Sequence, residues 1–201
     1  FIPSATSIVD LTRKVYDAFS PAFTDKGINT RFYCDNIRYI FMLDRVKIES
    51  ALNNLLSNAL KFTPAGGSVL VSVTVGKETD DLIYADITIE DTGIGIPKDK
   101  LETIFQRFYQ SPSDPNDRNI GTGIGLDLTR SLVELHYGSI SARNNEGEKG
   151  SKFEHGSEFI IRIPLGKDHL KPEELIDEEK VKEEQNLELA DVKQLEQDVK
   201  E

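Results

Sequence analysis

The sequence predicts an α+β fold: a two-layer α/β sandwich with helices on one face of a mixed, mostly antiparallel sheet. Three observations carry the prediction. Two long segments place apolar residues at helical spacing, two neighbouring runs alternate apolar and polar residues as strands do, and a third helical segment is followed by two further strand-like runs.

In chain order, Ile8 to Phe23 reads as a helix, bent or ended near Pro21, because proline removes a backbone donor and crowds the preceding turn. Short strands are expected at Thr30–Cys34 and Arg38–Met42. A second helix runs from about Arg45 to Lys61 and is closed by Thr63-Pro64 and Gly66-Gly67. Ser68–Gly76 alternates Val69, Val71, Val73 and Val75, and Asp81–Asp91 alternates Ile83, Ala85, Ile87 and Ile89, which together predict a hairpin. Gln110–Thr122 is polar, with two prolines, and reads as an irregular, mobile loop. A helix from Ile124 to Tyr137 stops at Gly138, after which "SISAR" and "EFIIRIPL" close the sheet.

The 201 residues, 38% of them hydrophobic, suit one domain with a real core and an appendage. The predicted division is 1–167 for the domain and 168–201 for an acidic, helical linker or extension. That tail holds 13 acidic and 5 basic residues, a net of −8 out of the chain's −11, and spaces Leu189, Val192, Leu195 and Val199 as a helical stripe. A net charge of −11 argues against a nucleic-acid partner. No apolar run approaches the roughly 18 to 20 residues of a membrane helix, so direct membrane contact is not expected. The single Cys34 excludes an internal disulfide and fits a reducing compartment. A chain opening on Phe1 reads as a piece of a longer protein, whose membrane segment could lie elsewhere.

Three stretches carry candidate chemistry. In "ALNNLLSNALKF", Ala51 to Phe62, asparagine costs roughly 0.5 kcal/mol or more against alanine at each interior helix position. Ile48, Leu52, Leu55, Leu56, Ala59 and Leu60 share a buried arc. Asn54, Asn58 and Lys61 form one stripe on the opposite side, within about 60° of one another. A solvated face is the ordinary explanation, but such a face more readily uses Glu, Lys or Gln. Amide oxygens suit Mg²⁺ and an ammonium suits phosphate.

"IEDTGIGIP" sets Asp91 at a strand end before Gly93 and Gly95. A carboxylate there could accept from an exocyclic amine, with glycine backbone against a flat ring; a plain turn is the simpler account. The D-T-G of aspartic proteases is a rival that would need a symmetric dimer to supply the second carboxylate. "IGTGIGL" runs directly into a helix, where backbone N–H groups and the helix dipole make an anion site; its spacing is neither a dinucleotide fingerprint nor a P-loop.

Taken in order, N-x-x-x-N-x-x-K, D-x-G-x-G, "IFQRFYQ" and G-T-G-I-G-L resemble the catalytic ATP-binding domain of bacterial sensor histidine kinases. That domain lies within the gyrase, chaperone and mismatch-repair (GHKL) ATPase superfamily, and the likeness covers about Ser7 to Leu165. The resemblance implies a Bergerat-type ATP-binding fold and the cofactors ATP and Mg²⁺. It implies metal and phosphate contacts for Asn54 and Asn58, a phosphate contact for Lys61, and adenine recognition by Asp91 with Gly93 and Gly95. Phe105 and Phe108 match the box that anchors the ATP lid, while also suiting ordinary core packing. Gly121, Thr122, Gly123, Gly125 and Leu126 would line the phosphates. The last motif, G-[TS]-x-F, fits either Gly150-Ser151 or Gly156-Ser157; Ser157 is preferred because Phe159 leads straight into "IIRIPL". Gln110 stands where relatives often carry arginine, leaving Arg107 or Arg118 to meet the γ-phosphate. The ending "IPLGKDHLKPEEL" is similar to the linker before a receiver domain in hybrid kinases.

ATPases of the superfamily carry a glutamate at the position of Asn54 to activate water. A carboxamide cannot act as a general base at neutral pH, which favours phosphoryl transfer over hydrolysis. Glu49 lies about 140° around the helix from Asn54. His136, His155 and His169 lack the context of a phosphorylated histidine, and His136 reads as structural. The expected partners are therefore a phosphoacceptor histidine on a helical hairpin of the same or a sister chain and the receiver domain of a response regulator. The expected location is cytoplasmic. The alternatives are an ATP-hydrolysing GHKL ATPase and a degenerate nucleotide-binding scaffold.

Overall fold

The computed structural model describes residues 1–35, 40–77, 83–107, 125–145 and 155–164. The expected loop at Gln110–Thr122 and the tail at 168–201 lie outside these residues. Helix α1 (Ile8–Asp25) begins at the cap Ser7, whose side chain accepts from the Asp10 N–H. It continues past Pro21 to Asp25 instead of ending there. Helix α2 (Arg45–Phe62) is capped by Asp44 and buries Ile48, Ala51, Leu52, Leu55, Leu56 and Ala59.

Five strands form the main sheet: β2 (Asn29–Cys34), β4 (Ser68–Lys77), β5 (Ile83–Asp91), β6 (Ser139–Asn144) and β7 (Ser157–Pro164), in the order β2-β4-β5-β7-β6. β2 and β4 are parallel and every other neighbour is antiparallel. α1 packs on β2 and β4, α2 on β5, and α3 (Gly125–Glu134) on β7 and β6, so the helices share one face. The core between the layers includes Phe23, Leu52, Leu55, Val71, Ile87, Ile161 and Ile163.

Two features depart from expectation. β1 (Ser4–Ser7) pairs antiparallel with β3 (Ile40–Leu43) in a separate ribbon, and "SATS" has no apolar alternation to announce it. α3 ends at Glu134, three residues before Tyr137, and its last turn unwinds through Tyr137 at a φ of 56°.

Candidate nucleotide site

The period of two in β5 sets the chemistry. Asp91 shares the face of Ile87 and Ile89, so its carboxylate points into the helix-covered side and is 3% exposed. The Ser157 hydroxyl donates to Oδ2 at 2.6 Å and the Gly93 N–H donates to Oδ1 at 2.7 Å. Burial pushes the Asp91 carboxyl above its ordinary value, opposed by those bonds and by the Ser157 N–H.

The glycines beside it are fixed by close approach. A Cβ on Gly156, whose φ is 109°, would sit 1.8 Å from the Asp91 carbonyl, and one on Gly93 would sit 2.6 Å from the Phe62 carbonyl. Gly95 also has a positive φ and lies against Asn144.

Asn144 and Asn145, which sequence reading passed over, hold this loop. Asn144 accepts from the Ile96 N–H at 2.7 Å and returns its Nδ2 to the Ile96 carbonyl at 2.6 Å, as a paired strand residue would. Asn145, fully buried, donates Nδ2 to the carbonyls of Asp91 and Ser157, each at 3.3 Å. The one signal available was an Asn-Asn pair at the end of a strand.

The asparagine stripe of α2 is half-buried instead of solvated, and its Asn54 lies on the seam with α3. Asn54 donates Nδ2 to the Thr129 hydroxyl at 2.8 Å, and Thr129 in turn donates to the Gly125 carbonyl at 2.8 Å. A Cβ on Gly125 would meet Asn54 Oδ1 at 2.3 Å, so the start of α3 presses directly on that amide. Asn58 and Lys61 are half-buried, with Lys61 Nζ 4.9 Å from the Phe62 ring centre. Lys26 caps the same helix end by donating to the Leu60 and Lys61 carbonyls. Glu49 is occupied elsewhere, paired with Lys14 at 3.0 Å.

Phe105 is buried edge-on to Phe159, with ring centres 6.4 Å apart, so the aromatic and G-S-x-F motifs touch through the core. Leu126 packs against the same core. Phe108, Arg118, Gly121, Thr122, Gly123 and the Gly150-Ser151 copy lie outside the described residues. His136 is buried and accepts the Asp44 N–H at Nε2, while His155 is exposed.

The sheet order, the three covering helices, the strand-end carboxylate with its glycines and the amide-bearing helix define a GHKL-type ATP-binding domain. The family model described as "Histidine kinase-, DNA gyrase B-, and HSP90-like ATPase" matches residues 43–167, and the chain belongs to that family. It is 31% identical over 178 residues to Histidine kinase P4 of Formosa agariphila, covering 87% of this chain and 12% of the relative. It is 42% identical over 106 residues to Sensor histidine kinase WalK of Bacillus subtilis, covering 53% of this chain and 17% of the relative. The chain thus spans less than a fifth of each of these relatives. The catalytic domain of histidine kinase ThkA, nucleotide-free, shares the fold at a TM-score of 0.67 and 24% identity, over 82% of this chain and 99% of that one. No helix among the described residues is long and apolar enough to cross a membrane.

Proposed function

We propose that this domain binds Mg–ATP and donates the γ-phosphoryl group to a histidine on a helical dimerisation hairpin, within a two-component signalling protein of the cytoplasm. The observation that carries the reading is Asn54. The α2 position facing the start of α3 holds a carboxamide locked to Thr129, and the only acidic residue of α2, Glu49, is paired with Lys14. ATP bound there meets no general base on this helix face and survives until a placed nucleophile attacks.

The residues present suit the ligand. Asp91 offers a buried acceptor for an exocyclic amine, and the absence of a side chain at Gly93 and Gly125 lets the backbone close against Phe62 and Asn54. Asn58 and Asn54 offer neutral amide oxygens. A Mg²⁺ held largely by phosphates and water would need no more than one or two such protein oxygens. Lys61, Arg118 and the glycines Gly121 and Gly123, with Thr122, would complete the phosphate contacts. A receiver domain is the expected downstream partner, and residues 168–201 the connector towards it.

The test mixes the 201-residue chain with γ-labelled ATP and a separately made phosphoacceptor hairpin. Label on the hairpin histidine, acid-labile and dependent on Mg²⁺, is expected. Steady phosphate release without transfer would favour the ATPase reading and overturn this one.

A further inference from the structure

Thr129 lies four residues into α3, is 1% exposed, and has one proton to give. That proton goes to the Gly125 carbonyl, which can only accept, so the Thr129 oxygen meets Asn54 as an acceptor. Asn54 must therefore turn Nδ2 towards Thr129 and Oδ1 towards the Gly125 Cα. The reverse orientation would press an amide N–H₂ on a Cα–H, where an oxygen makes a weak attractive contact instead.

We infer that Thr129 is a positioning residue that fixes the orientation of the Asn54 carboxamide, so that its oxygen, and never its nitrogen, faces the start of α3. The inference rests on the nucleotide reading above, because it is there that an oxygen has a cation to meet. A flipped amide would aim two donors at the cation side and lose that contact. Threonine and serine both supply the hydroxyl; valine matches the shape and supplies none.

The test compares the 201-residue chain with Thr129→Val and Thr129→Ser. Calorimetry follows a non-hydrolysable ATP analogue with and without Mg²⁺. Valine is expected to erase about fivefold or more of the affinity gained on adding Mg²⁺, the scale of one well-placed hydrogen bond. Affinity without Mg²⁺ should stay unchanged, and serine should restore the gain. A valine variant that keeps the full gain, or a serine variant that behaves like valine, overturns the inference and leaves the nucleotide reading standing. No gain in the unmodified chain overturns both. Independently of any variant, the Asn54 side-chain N–H₂ of the ligand-free chain should show slowed solvent exchange by NMR; rapid exchange overturns the inference even if valine fails to fold.

Discussion

The Ser157 hydroxyl donates to Asp91 Oδ2 at 2.6 Å across the boundary between β7 and β5, joining residues 66 apart in the chain. The carboxylate that ends one strand is thus oriented by the first residue of another, so the orientation of Asp91 and the pairing of β5 with β7 depend on one another.

Asp91→Asn should reduce affinity for an ATP analogue by about a hundredfold, the order of a buried charged hydrogen bond. It should also change how stability responds to pH. The folded-state pKa of Asp91 is raised, so its contribution to stability is present below the ordinary value of 3.8 and is lost as pH rises through the folded value. The melting temperature of the variant minus that of the unmodified chain should therefore rise between pH 3.5 and 7. A flat difference would disprove the buried, desolvated carboxylate.

Asn144→Asp keeps an acceptor for the Ile96 N–H but sets an anion against the Ile96 carbonyl. The expected loss is about 1 to 3 kcal/mol in chemical denaturation, with weaker nucleotide binding at 25 °C. Asn144→Ala, which removes both bonds without adding charge, should be the milder of the two.

His136 accepts the buried Asp44 N–H, which only a neutral ring can do. Burial lowers its pKa below 6.5, and Asp44 pulls the other way. The group thus adds stability above 6.5 that is lost as pH falls through that value towards the folded one. Asp44 itself would be raised by burial, but the N–H groups of Ile2 and Lys47 and the Lys47 ammonium bring it below its ordinary value, so it stays ionised throughout this window. Thermal unfolding of the unmodified chain should lose stability between pH 7 and 5.5, and His136→Gln should flatten part of that loss.

Tyr137→Gly should stabilise the domain by roughly 1 kcal/mol, read as a higher denaturation midpoint. Tyr137 sits at a φ of 56° just past α3, with its N–H on the Glu134 carbonyl and the Gly138 N–H on that of Val133. This is a helix terminus that glycine fits without strain, and the residue is 43% exposed.

Much of this architecture is legible in the residues themselves. Alternation in Val69–Val75 and Ile83–Ile89 gave the hairpin because a strand's side chains must choose a face, and the apolar arc of α2 gave the central helix. Asp91 stood out as a carboxylate ending an apolar strand before glycines. The supporting shell did not. Asn144 reaches Ile96 across 48 residues and Asn145 reaches Asp91 across 54, contacts that exist only once β7 lies between β5 and β6. Neighbour order in a sheet leaves no local periodicity. Thr129 was hidden for a similar reason: on an amphipathic helix a threonine reads as surface, and only the pressure of α2 makes it buried.

The order β2-β4-β5-β7-β6 also has a consequence for a chain emerging from the ribosome. The last of the described strands to be made, Ser157–Pro164, enters the middle of the sheet, with earlier strands waiting on both sides. Until it arrives, β5 and β6 each keep an open edge and Asp91 lacks its hydroxyl partner. Asp91 is therefore held by Ser157 only after this last described strand is in place. The nascent domain's greatest exposure to wrong strand pairing coincides with the period before that bond forms.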